Sequence, residues 1–385
     1  MKRNSMMPPH HGLRVAHVIT GLNTGGAETN LYRLLETLRP PTFEHVVISL
    51  GMEGALSARI ARSAKLHHLG MHAGWVRPSE LWRLRGLIKG YQPDVIHGWM
   101  DHANLIAAVA AWRLPVPIIW GVRRSLYEIR REKRTTRLVI RAAACLSRRP
   151  ARIVYNSAVS KAQYTASGYS AARALVIPNG IDVEAFKPDC TARMGVRSEL
   201  GIDSEALAIG LVARVHPMKD HSNFLRAAAH FVVNYPRAVF VLVGDGTVAD
   251  NHELGELIDQ LRLREYVKLC GRRVDIAAVN NALDIACSAS FWGEAFPNTI
   301  AEAMACGTPC VATDLSDIRE IIGDTGFIVP TQDPLALSSA WAKLATLGRQ
   351  GLRTLGASAR ARVVERYTLA AVAHRYAALY TAVTE

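Results

Sequence analysis

The sequence predicts an α/β protein with two doubly wound parallel-sheet domains that face each other across a cleft. Short apolar runs alternate with longer segments of helical periodicity along nearly the whole chain, and this alternation is typical of βαβ units. A length of 385 residues suits two domains of ordinary size. The turn residues Pro178, Asn179 and Gly180 separate two similar series of such units and mark a predicted hinge.

The first series begins after a loose tail over residues 1–12. Its apolar runs predict strands over residues 13–19, 45–50, 94–97, 118–121 and 153–156. A helix is predicted over residues 27–38, because the leucines of this segment recur at helical spacing on one face.

The second series predicts strands over residues 208–212, 238–243, 267–269, 285–286 and 309–312, and closing helices over residues 335–347 and 369–383. The predicted domains are residues 1–178 and 179–364, with a C-terminal helix in 365–385 that packs back on the first domain. Ligands of open parallel sheets bind outside the carboxyl ends of the strands. We therefore expect the functional residues in the loops that follow these strands.

The composition excludes several classes of protein. Hydrophobic residues make up 49% of the chain and charged residues 21%, which excludes intrinsic disorder as the main state. Six cysteines without a C-x-x-C pair are too few for a disulfide scaffold, and we expect buried, reduced thiols. Because no apolar run is long enough to span a membrane and no signal-peptide pattern is present, we expect a cytoplasmic protein. The net charge of +13 favours anionic partners.

The most informative motif is a pair of glutamates, Glu294 and Glu302, on either side of a predicted helix start. A short helix is predicted over residues 299–306, because Pro297 precedes it and Gly307 follows it. A helix N-terminus binds phosphate, and carboxylates beside it accept hydrogen bonds from hydroxyl groups. A sugar nucleotide contains both kinds of group. Taken alone, such a pair more often belongs to a surface loop and a capped helix.

Two further motifs follow predicted strands. Arg214 and Lys219 come after the strand over 208–212, where two cations can hold a diphosphate and stabilise negative charge on a leaving group. Gly25 and Gly26 follow the first strand, where glycine lets a ligand approach backbone N–H groups closely. Each motif taken alone is also consistent with a solvated loop or a tight turn.

Residues 244–249 match the dinucleotide fingerprint G-x-G-x-x-A, which would favour a nucleotide-dependent oxidoreductase. That interpretation requires an acidic residue at the end of the next strand to bind ribose. Arg272 and Arg273 follow that strand instead, so this isolated match has little weight.

Together, these segments resemble the retaining glycosyltransferases of family 4, of the bacterial surface-polysaccharide type, which have the GT-B fold of two Rossmann-like domains. The resemblance extends over residues 14–380. Its most specific part is the run over 294–309, followed by residues 326–329. The Gly25-Gly26 loop and the Arg214…Lys219 pair agree with the family in order and spacing.

The resemblance implies a hexosyltransferase that moves a hexose or N-acetylhexosamine, with retention, from a nucleoside-diphosphate sugar to a glycan or lipid-linked acceptor. UDP is the expected nucleotide. No cofactor is expected, and the absence of an Asp-x-Asp motif favours a reaction without metal. The close alternative is a sugar-nucleotide epimerase or hydrolase with the same fold.

The resemblance also assigns donor-binding residues, most of them in the second domain. They are Gly25, Gly26, Arg214, Lys219, Val274, Glu294, Phe296, Asn298, Thr299 and Glu302. Glu302 would bind the ribose and Glu294 the sugar hydroxyls, and backbone near Val274 would contact the base. Arg214 and Lys219 would stabilise the departing diphosphate, so they are expected to be catalytic together with Glu294.

One departure from the family concerns histidine. Many members have a histidine in the loop after the strand equivalent to 118–121, where this chain has Arg123 and Arg124. His102 is the candidate for a catalytic contact and His97 is a weaker one, although a histidine at a strand end is often structural. Asp101 is expected to orient a histidine or to cap the following helix. The two arginines are alternative contacts for an acceptor phosphate.

Positive charge is concentrated in residues 123–152, which contain eleven cations and two anions. The arginines predicted on one helical face are Arg134, Arg137, Arg141 and Arg148. A solvated basic surface is the usual explanation. A nucleic-acid partner is not expected, because the segment lacks interleaved aromatic residues. We expect the segment to make peripheral contact with the anionic inner face of the cell membrane or with a lipid-diphosphate acceptor. A smaller basic patch near Trp82 belongs to the same domain.

Overall fold

The chain folds into two compact units. The computed structural model describes residues 12–23, 25–72, 76–127 and 134–385. One unit contains the residues up to Gly180 together with Leu369–Glu385, and the other contains Ile181–Thr368. The tail up to residue 11 and five charged residues of the basic segment, in 128–133, lie outside the described residues.

Each unit contains one sheet of parallel strands. Along the chain, the strands are β1 (Leu13–Ile19), β2 (Phe43–Ser49), β3 (Lys65–His68), β4 (Val95–Trp99), β5 (Ile118–Val122), β6 (Arg152–Tyr155), β7 (Ala174–Val176), β8 (Ala208–Val212), β9 (Val239–Val243), β10 (Val267–Leu269), β11 (Ile285–Ser288), β12 (Cys310–Thr313) and β13 (Gly326–Val329). The first sheet has the order β3-β2-β1-β4-β5-β6-β7, and the second has the order β10-β9-β8-β11-β12-β13. The chain order reverses beside β1 and beside β8, which is the doubly wound arrangement.

Helices connect the strands. They are α1 (Gly26–Thr37), α2 (Ser57–Ile60), α3 (Pro78–Tyr91), α4 (Asp101–Ala110), α5 (Arg134–Leu146), α6 (Ala158–Ala166), α7 (Cys190–Glu199), α8 (His221–Val232), α9 (His252–Gln260), α10 (Ile276–Ala282), α11 (Asn298–Ala305), α12 (Ile318–Ile322), α13 (Pro334–Ala345), α14 (Gly348–Arg366) and α15 (Leu369–Thr384). The last of them returns to the first unit, where Val372, Tyr376 and Tyr380 pack in the same core as Trp99.

The two parallel sheets confirm the predicted fold class, and every strand predicted from an apolar run is present. Three strands, β3, β7 and β13, are not among those predicted from the sequence. All three lie at the edge of a sheet, and most of their residues are only partly buried. Each has only three or four residues, and periodicity does not identify runs this short.

The cysteines differ in exposure. All six are free thiols; Cys287, Cys306 and Cys310 are buried, whereas Cys145 and Cys190 are exposed. The expectation of buried thiols is therefore wrong for these last two, which lie on the outer side of α5 and at the first residue of α7. Within the described part of the chain, no helix is long and apolar enough to cross a membrane.

Candidate active site

The two predicted cations, Arg214 and Lys219, follow β8. Their loop is hydrogen-bonded to the loop after β9. The N–H of Val215 donates to the carbonyl of Asp245 at 2.7 Å. Gly244 has a φ of 148°, and a Cβ atom at this position would lie 2.3 Å from the carbonyl oxygen of Ala213. Glycine therefore permits the close approach of the two loops, which gives the G-x-G pattern a packing role.

Lys219 and Glu294 form an ion pair that joins the loop after β8 to the loop after β11. Lys219 Nζ donates to Glu294 Oε1, and Ser290 Oγ donates to the same oxygen at 2.9 Å. Among the described residues, no hydrogen bond reaches Glu294 Oε2. The Lys219 side chain is 20% exposed and that of Glu294 is 13% exposed. The pair is thus largely shielded from solvent, and one carboxylate oxygen remains available.

The surroundings of Glu294 keep its carboxylate ionised. Burial by itself raises the pKa of Glu294. The charge of Lys219, hydrogen bonds from Lys219 and Ser290, and the charge of Arg214 lower it by more, so the pKa lies below its usual value. Burial lowers the pKa of His216 in the same loop, and Arg214 and Lys219 lower it further. This loop region therefore combines two cations, one carboxylate and a neutral imidazole.

Helix α11 begins directly after the carboxylate loop. Pro297 is its N-cap residue and makes no side-chain cap bond. Asn298 and Thr299 are the first two helical residues, and the first N–H groups of a helix have no partner within the helix. Glu302 follows one turn later and is 8% exposed. Gly307 has a φ of 78° after the helix, as predicted for a C-terminal glycine.

The loop between β11 and α11 is held by side chains from the end of β12 and the loop that follows it. Thr313 Oγ1 donates to the carbonyl of Ser290 at 2.6 Å, and Ser316 Oγ donates to the carbonyl of Ala295. All of these residues are buried. The backbone on both sides of Glu294 is thereby fixed to the neighbouring strand of the sheet.

The same loop also contacts the loop after β8. The N–H of Phe291 donates to the carbonyl of Met218 at 2.8 Å. Gly293 has a φ of 77°, and a Cβ atom there would lie 2.5 Å from the Met218 sulfur. Phe296 is buried, with its ring centroid 5.5 Å from that of Tyr367. Its side chain therefore belongs to the core, which is consistent with the expected contact through backbone.

The loop after β10 contains Val274, the position assigned to the base. The Val274 side chain is 96% exposed. The preceding Arg273 donates to both carboxylate oxygens of Asp275, at 2.9 and 2.6 Å, and to Glu199 at 3.0 Å. These bonds hold the side chains of the two residues that flank Val274.

Gly25 and Gly26 lie in the first unit, at the start of α1. Gly25 is the N-cap residue with an extended φ of −155°, and Gly26 is the first helical residue. A Cβ atom on Gly25 would lie 2.4 Å from Glu28 Oε2, so a larger residue would displace that side chain. The role of these glycines toward a phosphate stays a prediction.

His97 is fully buried in the core of the first unit. Its Nδ1 lies 2.8 Å from Tyr380 Oη, and its ring centroid is 4.6 Å from that of Trp99. Burial, together with the charge of Arg123, holds the pKa of His97 well below its usual value. These contacts support the structural interpretation of this histidine.

His102 is the second residue of α4 and is partly buried. Asp101 accepts hydrogen bonds from Tyr164 Oη at 3.0 and 3.1 Å and lies 3.9 Å from Arg124 Nε. The expectation that Asp101 caps the helix is wrong, because the N-cap residue is Met100, which makes no side-chain cap bond. A catalytic contact by His102 stays a prediction.

Arg123 joins the loop after β5 to the C-terminal helix. Its Nη1 donates to Asn179 Oδ1 at 3.2 Å, and its Nη2 donates to Tyr376 Oη. The guanidinium lies over the Trp99 ring, 4.7 Å from the centroid. These contacts assign Arg123 to the packing of the first unit, and its contact with an acceptor phosphate stays a prediction.

Helix α5 carries part of the basic segment. Thr136, Ile140 and Ala143 form its buried side, while Arg134 and Arg141 are exposed. Arg137 is partly buried. The expectation that Arg148 shares this helical face is wrong, because the helix ends at Leu146.

Sequence reasoning missed the residues that hold the carboxylate loop, namely Ser290, Thr313 and Ser316. Each lies at or just beyond the end of a strand, which is the position where sites occur in parallel sheets. No spacing along the chain connects them, because the strands β11 and β12 bring them together only in the folded sheet. In the described residues, no cluster of three or more His, Cys, Asp or Glu side chains is arranged to hold a metal ion.

Two family descriptions match the chain, one for each unit. Residues 24–185 match Glycosyltransferase Family 4, and residues 206–346 match Glycosyl transferases group 1. The chain belongs to glycosyltransferase family 4. It is therefore a glycosyltransferase, as the resemblance in its motifs indicated.

Two related proteins have names that describe them as glycosyltransferases. EpsF of Bacillus subtilis, described as a glycosyltransferase, is 29% identical over 86% of this chain and 86% of its own length. An Escherichia coli enzyme, UDP-Gal:alpha-D-GlcNAc-diphosphoundecaprenol alpha-1,3-galactosyltransferase, is 26% identical over 64% of this chain. This chain spans 65% of the length of that enzyme.

Solved structures show the same fold. The structure of HepE from Anabaena in complex with UDP and glucose matches with a TM-score of 0.84 and 22% identity, over 96% of this chain and 100% of that one. WaaG, a glycosyltransferase involved in lipopolysaccharide biosynthesis, matches with a TM-score of 0.73 and 16% identity, over 95% and 99% of the two chains. The predicted GT-B fold is thus confirmed.

Proposed function

We propose that this glycosyltransferase moves a hexose or an N-acetylhexosamine from a UDP-sugar to a hydroxyl group of a glycan or lipid-linked acceptor, with retention of the anomeric configuration and without a metal ion. The arrangement around Glu294 carries the proposal. Lys219 and Ser290 hold one oxygen of its carboxylate, and the other remains as an acceptor for a sugar hydroxyl. Helix α11 begins at Asn298, directly after this loop.

The donor's diphosphate binds the cations of the loop after β8 and the first N–H groups of α11. Lys219 has three N–H donors, and its bond to Glu294 leaves two of them for phosphate oxygens. When the bond between the sugar and the phosphate breaks, negative charge develops on the diphosphate. Arg214 and Lys219 stabilise that charge, as a metal ion does in other enzymes, and this supports a reaction that needs no metal.

The remaining donor contacts belong to the same proposal. Glu302 accepts hydrogen bonds from the ribose, and backbone beside Val274 contacts the base. Gly25 and Gly26 offer backbone N–H groups to the phosphates, and His102 contacts the reacting sugar. The choice of UDP is supported by the HepE structure, which contains UDP, and by the E. coli relative, whose name includes UDP-Gal.

A lipid-linked acceptor at a membrane surface is supported by the outer surface of the first unit. Arg134 and Arg141 are exposed on α5, and Leu138 between them is 65% exposed. Trp82 on α3 is 72% exposed, and basic residues accompany it on that helix. Cations combined with exposed apolar side chains bind anionic membrane interfaces. The E. coli relative acts on a diphosphoundecaprenol acceptor according to its name, which agrees with this part of the proposal.

A thermal-shift panel of UDP-, GDP- and ADP-sugars tests the donor. A ligand that binds the native state raises the melting temperature by mass action, so we expect UDP-sugars to raise it and the others to leave it unchanged. Transfer to a lipid-diphosphate-linked acceptor is then measured with and without EDTA, and NMR of the product gives its anomeric configuration. An inverted product, a requirement for added metal, or stabilisation by GDP-sugars alone would each contradict the corresponding part of the proposal.

A further inference from the structure

We propose that Ser290 is a positioning residue that fixes the Glu294 carboxylate for the donor sugar, and that Thr313 in turn fixes Ser290. This inference rests on the proposed function, in which Glu294 binds a sugar hydroxyl. Neither residue belongs to the glutamate pair or to the cationic loop that indicated the site.

Both hydrogen-bond donors that the structure describes for the Glu294 side chain bind the same carboxylate oxygen. Ser290 Oγ donates to Glu294 Oε1 at 2.9 Å, and Lys219 Nζ donates to that same oxygen. Two donors on Oε1 determine the rotation of the carboxylate about its last bond. Oε2 is then placed as the acceptor for a hydroxyl group of the sugar.

Lys219 alone does not fix this orientation of the carboxylate. A lysine ammonium lies on a flexible four-carbon stem and donates in three directions. Under the proposed function, it also binds the diphosphate, so its bond to Glu294 changes when the donor enters. The Ser290 hydroxyl has one proton on a short side chain, and Ser290 itself is 2% exposed. It therefore holds Oε1 both with and without the donor.

Thr313 supports Ser290 through a buried hydrogen bond. The hydroxyl of Thr313 donates to the carbonyl of Ser290 at 2.6 Å, and Thr313 is 2% exposed. Ser288 Oγ lies 3.4 Å from Ser290 Oγ and completes the surroundings of this hydroxyl. A buried bond of this length fixes the backbone of Ser290, and with it the direction of its side chain.

Matched variants at both positions test the inference. Ser290→Ala removes the hydroxyl that holds Oε1. Thr313→Val removes the supporting hydroxyl and keeps the shape, whereas Thr313→Ser keeps the hydroxyl and serves as the rescue variant. Calorimetry measures two affinities for each variant. One is the affinity for UDP, and the other is the affinity for the UDP-sugar that the wild type binds most tightly among UDP-glucose, UDP-galactose and UDP-N-acetylglucosamine. The ratio of the two affinities isolates the contact with the sugar.

We expect Ser290→Ala and Thr313→Val to bind the UDP-sugar about tenfold more weakly and to bind UDP as the wild type does, since a hydrogen bond to a charged group typically contributes this much. Thr313→Ser should restore the wild-type ratio. If a variant bound UDP and the UDP-sugar equally more weakly, the residue would have a merely structural role and the inference would be overturned. An unchanged ratio of the two affinities in both variants would also overturn it. A wild type that binds no UDP-sugar would instead overturn the proposed function.

Discussion

Lys219 and Glu294 form an ion pair across two loops that follow the adjacent strands β8 and β11. The two side chains are 75 positions apart along the chain. The contact unites the two motifs that the sequence presents separately, the cationic loop and the glutamate pair. It also brings together the groups proposed to bind the diphosphate and the sugar.

Removal of either cation should impair catalysis more than folding. We expect Lys219→Ala and Arg214→Ala each to lower kcat/KM by about a hundredfold or more, because loss of one preorganised charge-stabilising donor typically has an effect of this size. The measurement is steady-state transfer with the UDP-sugar identified by thermal shift. Arg353→Ala, at an exposed position on α14, is the control and should behave as the wild type. Full activity in both variants would contradict the role of these cations.

The ion pair should also make stability depend on pH. The folded-state pKa of Glu294 lies below its unfolded value, so the unfolded chain binds more protons as the pH falls. The carboxylate therefore contributes stability above the unfolded pKa of about 4.3, and this contribution is lost as the pH falls through the lower folded pKa. The difference in free energy of unfolding between wild type and Glu294→Gln, measured by urea titration, should be largest near neutral pH and shrink below about pH 4. A difference that does not vary with pH would contradict this expectation.

Gly244 should be required for the position of the cationic loop. We expect Gly244→Ala to destabilise the protein by about 1–3 kcal/mol, because its φ is unfavourable for alanine and its Cβ would meet Ala213. Activity should fall with it, since Arg214 lies directly after Ala213. Gly255 is the matched control: it lies within α9, and a Cβ atom added there would meet no atom within 4 Å, so Gly255→Ala should be neutral or stabilising. Urea unfolding gives the stability of both variants, and steady-state kinetics gives their kcat/KM. Equal stability and equal kcat/KM in the two variants would contradict the packing role of Gly244.

The basic surface of α5 should determine membrane binding. We expect the double variant Arg134→Glu/Arg141→Glu, at two exposed positions of the helix, to bind acidic liposomes at least tenfold more weakly, because each cation near an anionic surface contributes about 1 kcal/mol. Flotation at low and high salt measures the effect, and wild-type binding should weaken as salt rises. Arg353→Glu on the second unit is the charge-reversal control and should retain binding. Absence of wild-type flotation with acidic liposomes at low salt would contradict the membrane contact.

The buried histidines should make the first unit sensitive to acid. Burial holds the pKa values of His17 and His97 well below the ordinary 6.5, so both are neutral in the folded protein. Because the unfolded histidines bind protons below about 6.5, stability should fall as the pH drops from 7 to 5. Trp99 lies in this cluster, with His97 4.6 Å and His17 6.0 Å away between ring centroids. Urea titration at each pH measures the free energy of unfolding. Stability that stays constant over this interval would contradict the prediction.

The sequence by itself determined the fold class, because apolar runs and helical periodicity depend on local composition. It also indicated Glu294, Glu302, Arg214 and Lys219 as candidate site residues, since each motif is compact along the chain and follows a strand. The edge strands β3, β7 and β13 escaped prediction because each has only three or four residues, and periodicity does not identify runs this short.

Only the tertiary structure decided which groups contact one another. Ser290 lies in the loop after β11 and Thr313 is the last residue of β12, and nothing in their spacing indicates that the hydroxyl of Thr313 supports Ser290. His97 and Tyr380 are 283 positions apart, and their contact exists because α15 returns to the first unit. Hydrogen bonds act over about 3 Å in space regardless of separation along the chain, so the side chains that orient a site become visible only when the strands are assembled.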